Sequence, residues 1–242
     1  VSVHSKRIPV SQRFAGRSVA VIGAGGGIGS HLAKSLHTQG ATVFALDLAA
    51  PTSLPDDIET HAIDVTSEES VMAAVSDLYR QHDRPIDLVN SAGIVENDVA
   101  AESLPMETYD RVMGVNLRGV FVACREFGRE LLQRGGGAIV NVASMSGNHV
   151  VNFPQKQSVY NSSKAGVAAL TRSLAVEWGG RGVRVNCVSP GYVDTPLNAL
   201  KKHMHDGWID GTVVGRFARL AEVSGAVEYL LSEEAAYCCG TE

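Results

Sequence analysis

The apolar positions of the chain switch period again and again. Residues 18–22, Ser-Val-Ala-Val-Ile, form a short apolar run that ends in glycines, as a strand buried on both faces does. Around Gly29 the apolar residues Ile28, Leu32 and Leu36 recur at every fourth position, and Gly40 closes the pattern as a helix C-terminal glycine. Residues 42–46 read as the next strand, closed by Asp47, and Ala62 and Ile63 lead into Asp64 as a third. Thr66-Ser67-Glu68-Glu69 has the spacing of a capping box, with Val71, Val75 and Leu78 as the stripe of the helix it opens. The second half continues in kind. Strands are predicted at 86–89, 138–143 and 183–188, and helices at about 106–132 in two pieces, 160–178 and 221–231.

Repeated strand–helix units with strands apolar on both faces predict an α/β fold, a single doubly wound parallel-sheet (Rossmann) domain with helices on both faces. No fixed-period repeat and no Pro/Gly-rich linker divides the chain. The domain is placed at 14–242, after a polar, basic arm at 1–13 that reads as flexible. A polar stretch at about 194–212 reads as a lid.

Composition narrows the class. The 242 residues are 45% hydrophobic and 19% charged, too apolar and too weakly charged for a disordered chain. A net charge of −5 without long runs of one sign leaves no footprint for nucleic acid. No apolar stretch approaches the roughly 20 residues that span a bilayer, and the N-terminus does not resemble a signal peptide. The expectation is a cytoplasmic protein with a small-molecule substrate and neither nucleic acid nor membrane as partner. Cys124, Cys187, Cys238 and Cys239 lack the spacing of a zinc or redox centre, and Cys124 and Cys187 lie in apolar runs. His203 and His205 have no third ligand near them in sequence, so no metal site is expected.

Two constellations carry chemistry. Gly23-Ala24-Gly25-Gly26-Gly27-Ile28-Gly29 joins the first strand to the first helix. Glycines there let the backbone approach a pyrophosphate at a helix N-terminus, where free N–H groups and a partial positive charge stand ready. Asp47, 18 positions beyond Gly29 at the tip of the second strand, is placed to accept hydrogen bonds from a ribose and to repel a 2′-phosphate, which favours NAD over NADP. The second constellation is Ser144 at a strand end and Tyr160 with Lys164 one helical turn apart, 16 residues later. A phenol is a poor base near neutrality, and an ammonium beside it favours the phenolate.

On these residues the chain resembles the short-chain dehydrogenase/reductase family, from about Phe14 to its end. The glycine pattern Gly23-x-x-x-Gly27-x-Gly29 is the family's, with Ile22 where a Thr is usual. Asn90-Ser91-Ala92-Gly93 resembles its NNAG motif, with Ser for the second Asn. The resemblance implies cofactor contacts from Gly23, Gly27, Ile28, Gly29, Asp47 and Leu48, and from Asp64, Val65, Asn90, Ala92 and Gly93. It implies further ones from Pro190, Gly191, Val193 and Thr195, with Tyr160 and Lys164. It casts Tyr160 as the acid/base, Ser144 as the group that holds the substrate oxygen, and Lys164 as the group that lowers the Tyr160 pKa and binds the nicotinamide ribose. Asn116 would hold a water linking Lys164 to solvent, the alternative being a satisfied buried amide. A homotetramer is implied as well. The family usually continues into a seventh strand, whereas these residues stop at Gly240-Thr241-Glu242, so either that strand is missing from them or the sheet is narrower.

The run from Asn148 to Gln157 is polar for a segment beside a catalytic Ser, which suits a polyhydroxylated substrate. Its Asn-x-Pro-Gln pattern resembles the family's polyol dehydrogenases. Ser144, Ser146, Asn152, Gln155 and Tyr160 are the candidate substrate contacts, although the amides could equally serve only to fix the loop. The expected function is NAD-dependent interconversion of a polyol and its ketose. The rivals are an NADPH-dependent 3-oxoacyl-thioester reductase and a non-catalytic nucleotide-sensing protein.

Overall fold

A computed structural model describes residues 12–148, 154–199 and 201–242 of the chain. Six strands, β1 (Ser18–Ile22), β2 (Thr42–Asp47), β3 (Glu59–Ala62), β4 (Ile86–Asn90), β5 (Gly137–Val142) and β6 (Val183–Val188), form one parallel sheet. Their order is β3-β2-β1-β4-β5-β6. The chain therefore winds outward from β1 in one direction and then restarts beside it at β4. Where the order reverses, the loops that follow β1 and β4 leave in opposite directions and open a crevice at the carboxyl end of the sheet.

Helices cover both faces. On one, α1 (Gly27–Thr38) and α8 (Leu220–Leu231) bring Leu32, Leu36, Val227 and Leu231 onto the sheet. On the other, α2 (Glu68–Gln81), α4 (Val120–Gln133) and α5 (Ser158–Trp178) contribute Leu78, Phe127, Leu131 and Val167. All eight of these side chains are fully buried. Each such side chain contributes about 1.5–3 kcal/mol relative to leaving it in water.

Several boundaries differ from the sequence expectation. The third strand lies earlier, at Glu59–Ala62, and Ile63 and Asp64 follow it rather than form it. The cap of α2 is Ser67, whose hydroxyl accepts from the Ser70 amide at 3.2 Å. Thr66 instead donates to Asp64, so the capping box predicted from Thr66 to Glu69 does not form. The pattern at 106–132 is one continuous run. Its α3 (Met106–Met113) passes through a π-helical turn, Gly114–Gly119, into α4. That turn carries Asn116.

The stretch expected to be a lid contains α6 (Pro196–Ala199) and α7 (His205–Asp210). It is tethered by aromatic packing. Trp208 of α7 stacks on Tyr192 with ring centroids 4.6 Å apart and planes at 10°, and His205 and Phe217 pack beside it. At the far edge of the sheet Gly240 N–H donates to the Val185 carbonyl at 2.8 Å, and Cys187 N–H to the Thr241 carbonyl at 3.0 Å. The outer edge of β6 is thus already paired by the last residues. Cys124 and Cys187 are buried, with burial pushing their thiols up to about 12 and about 11, and none of the four cysteines is in a disulfide. No described helix is long and apolar enough to cross a membrane.

Candidate active site

Two adjoining hollows fill the crevice, and Ser91 and Gly93 line both. The first is a groove across the tips of β1, β2 and β4. Gly23 turns the chain out of β1 with φ +85°, and a Cβ there would stand 2.4 Å from the Ala92 amide nitrogen. A Cβ on Gly29 would stand 2.1 Å from the Gly23 carbonyl oxygen. Only glycine meets both requirements. Asp47 sits at the tip of β2, where its carboxylate accepts from Gly25 N–H at 2.8 Å and Leu48 N–H at 2.7 Å. Leu48, Asp64, Val65 and Ala92 complete this lining. Thr66 donates to the Asp64 carboxyl through both hydroxyl and amide, which holds it below the usual carboxylate range. A glycine-walled groove with a carboxylate at its far end and, among the described residues, no Lys or Arg in its lining fits the adenosine half of a nicotinamide dinucleotide.

Three predicted cofactor residues, Asn90, Gly27 and Gly29, line neither hollow. The Asn90 side chain turns inward, donating to Asn141 Oδ1 at 2.8 Å and to Cys124 Sγ at 3.3 Å. A strand-end amide between β5 and α4 is worth more as a partner for buried polar groups than as a groove wall. Gly27 is also outside the lining, and it faces the lid, its Cβ direction ending 3.2 Å from Thr195 Cγ2.

The second hollow lies at the ends of β4, β5 and β6. Ser144, Tyr160 and Lys164 all line it, together with Ile28, Pro190, Gly191, Val193 and Thr195. The Ser144 hydroxyl accepts from Ser146 N–H at 3.2 Å and is near enough to the Tyr160 phenol to favour its charged form. Lys164 Nζ donates to the Val142 carbonyl at 2.8 Å and stands 5.8 Å from the Tyr160 ring centroid. Burial pushes the Lys164 ammonium down to about 8. Burial is also the leading influence on Tyr160, and the Glu96 carboxylate adds to it; together they outweigh the opposing influence of the Ser144 hydroxyl and raise the phenol above its ordinary value. Lys164, expected to lower the Tyr160 pKa, is not among the influences acting on the phenol here, and desolvation disfavours both charged forms.

Asn116 is satisfied within the protein. Its Oδ1 accepts from Ile94 N–H at 2.8 Å, while its Nδ2 donates to the Ile94 carbonyl at 2.8 Å and to Ser163 Oγ at 3.1 Å. It clamps the segment after β4 to the helix that carries Tyr160. Among the candidate substrate contacts, Ser146 and Gln155 line the hollow beside Ser144, and Asn152 lies outside the described residues.

Three residues that sequence reasoning did not single out belong here. Glu96 is 1% exposed, and its carboxylate accepts from Val159 N–H and Tyr160 N–H at 3.0–3.1 Å. Gln157 offers α5 no side-chain cap, so a carboxylate from 64 positions away does that work. Lys201 and Trp208 reach the same hollow from the lid. For Glu96 the sequence offered only an acid three residues after the Asn-Ser-Ala-Gly motif, with nothing local to mark it as buried. For Lys201 and Trp208 there was no more than the polar lid itself. Among the described residues no group of three His, Cys, Asp or Glu side chains is arranged to hold a metal ion.

A hydroxyl, a phenol and an ammonium converging beside a dinucleotide-shaped groove can hold and deprotonate an alcohol, or protonate a carbonyl oxygen. The family model described as Enoyl-(Acyl carrier protein) reductase matches residues 23–242. Galactitol 2-dehydrogenase (L-tagatose-forming) of Cereibacter sphaeroides is 40% identical over 94% of this chain and 92% of its own length. D-threitol dehydrogenase of Mycolicibacterium smegmatis is 36% identical, over 95% of this chain and 91% of its own. The crystal structure of gox2181 superposes with a TM-score of 0.92 at 36% identity, covering 96% of this chain and 94% of that one. The chain belongs to the short-chain dehydrogenase/reductase family, whose members are oxidoreductases that use a nicotinamide cofactor.

Proposed function

We propose that the protein is an NAD-dependent dehydrogenase that interconverts a polyol and its ketose. Such a substrate is also what the printed names of the galactitol and D-threitol relatives state for those proteins. The observation that carries the reading is the hollow itself, whose lining holds Ser146, Gln155 and Asn198 as well as Ser144, Tyr160 and Lys164. A reacting alcohol there has polar partners for its other hydroxyls.

The nicotinamide cofactor, held by the glycine turn, Asp47 and the walls around Ile28, Pro190, Gly191, Val193 and Thr195, would supply the hydride acceptor. The protein's own groups do the rest. Ser144 donates to the substrate oxygen and fixes it against Tyr160. Tyr160 takes the hydroxyl proton during oxidation and returns it during reduction. Lys164, with its nitrogen on the Val142 carbonyl, stands where it offsets charge on the phenolate and meets the nicotinamide ribose. A water carried on the Asn116 turn completes the path of the proton to solvent, the side chain of Asn116 being committed to Ile94 and Ser163.

NAD rather than NADP is favoured by Asp47, with Leu48 and Ala49 beside it and no cation in the groove among the described residues to pair a 2′-phosphate. The same absence weighs against the NADPH-dependent 3-oxoacyl-thioester reductase. Tyr160 and Lys164, together in the hollow, weigh against a protein that only senses nucleotide. A cytoplasmic homotetramer completes the proposal, and the half-exposed Phe121 on α4 and Met106 on α3 supply apolar surface for contact between copies. The test is the initial rate of NADH formation from NAD against four- to six-carbon polyols, with NADP in parallel. Turnover of a polyol with NAD is the expected result. NADPH-dependent reduction of an acyl thioester without polyol turnover would replace the proposal.

A further inference from the structure

The hollow that holds Ser144 and Tyr160 has a second polar wall that takes no part in the chemistry. Gln155 Oε1, Lys201 Nζ and Trp208 Nε1 are buried atoms without a hydrogen-bond partner among the described residues, and all three residues line this one hollow. A buried donor or acceptor left unmet costs about 1–3 kcal/mol, so three in one cavity call for a ligand or water that meets them. Trp208 is 3% exposed, and its ring is fixed by Tyr192 on one side with His205 and Phe217 around it. Its N–H direction is therefore set before any substrate arrives.

The kinds of atom define the ligand. Trp208 Nε1 only donates, Lys201 Nζ donates three times, and Gln155 Oε1 only accepts. A carboxylate or a phosphate dianion accepts from the two donors but has no proton for Gln155 Oε1, the atom that the amide leaves unmet in this orientation. A ketone or an alkyl chain fails in the same way or makes no bond at all. Hydroxyl groups both donate and accept. Charge points in the same direction, because the Lys201 ammonium does not stand alone. The carboxylates of Asp98 and Glu96 are close enough to act on it, while its burial works the other way. With the Lys164 ammonium also in this hollow, two carboxylates stand against two ammonium groups, which leaves no net positive field for an anionic substrate.

We propose that Gln155, Lys201 and Trp208 form a distal subsite that reads uncharged hydroxyl groups of the substrate beyond the carbon that is oxidised. This rests on the polyol reading above and sharpens it: the preferred substrate is a neutral alditol rather than a sugar acid, a sugar phosphate or a simple secondary alcohol.

The test compares kcat/KM for three substrates with NAD: a six-carbon alditol, the aldonate of the same length, and 2,3-butanediol, which is too short to carry a distal hydroxyl. The wild-type protein is set against Lys201→Met and, separately, Trp208→Phe, a change that keeps an aromatic ring against Tyr192 and removes the donor together with the second ring of the indole. NADH affinity by fluorescence titration checks that each variant is folded. The expected result is that the alditol-to-butanediol ratio falls about 10-fold in either variant, chiefly through KM. A ratio unchanged in both variants, while the wild type still oxidises alditols, would overturn the subsite and leave the polyol reading standing. An aldonate preferred over the alditol by the wild type would also overturn the neutral-ligand assignment. Failure of the wild type to oxidise any alditol would overturn the polyol reading and the subsite together.

Discussion

Asp47, at one end of the crevice, has both carboxylate oxygens bonded to main-chain amides of the glycine turn and of Leu48. At the other end Gln155, Lys201 and Trp208 hold polar atoms that meet nothing among the described residues. The first set rides on strand tips and a turn that follows a strand directly. The second rides on the segment before α5 and on the lid. Parts that must present one unchanging shape to a common cofactor are built from satisfied backbone and strand ends. Parts that must tell one substrate from another keep their hydrogen bonds open. Tyr160 lies where the two meet.

That contrast can be broken most severely at the meeting point. Tyr160→Phe removes the group that moves the proton while keeping the ring, and kcat should fall about 1,000-fold or more with NADH affinity unchanged. Steady-state rates alongside a fluorescence titration read both quantities. An Asp47→Ala variant strikes the cofactor end alone. Its kcat/KM for NAD should fall about 10–100-fold and its preference move toward NADP, while KM for the polyol at saturating nucleotide stays put. A polyol KM that rose in step would show that the two ends are not separate.

Glu96→Gln tests the join between them. Alcohol oxidation needs the unprotonated phenol, and both burial and the Glu96 carboxylate raise the Tyr160 pKa, so the rate climbs as pH rises through it. Removing the negative charge while keeping one acceptor for the α5 amides should move that acidic limb to lower pH, by up to about one unit. A pH profile of kcat/KM measures it, and a Glu96 that only braced the helix would lower the rate without moving the limb. The smallest effect belongs to Asn116→Ala. It frees the main-chain groups of Ile94 and the Ser163 hydroxyl, and should cost about 1–3 kcal/mol in urea unfolding.

The alternation of strands and helices was legible because each element's apolar period reflects the sheet it packs on, and that period is a local property. The glycine turn was legible for a similar reason. Gly23 and Gly29 are needed by backbone geometry within seven residues of chain. The spacing of Tyr160 and Lys164 is one turn of one helix, and Asp47 ends the strand that its own neighbours form. Contacts across long separations were not legible. Glu96 reaches the start of α5 over 64 positions, and no local pattern distinguishes a capping carboxylate from a solvated one before the two segments are packed. Asn90 shows the converse: a motif position that suggests the groove is turned inward once Asn141 and Cys124 are beside it. Likewise the lid reads as merely polar along the chain. Whether a lysine or a tryptophan there faces water or the hollow depends on Tyr192, His205 and Phe217 closing around Trp208, and burial of that kind is a property of the assembled fold.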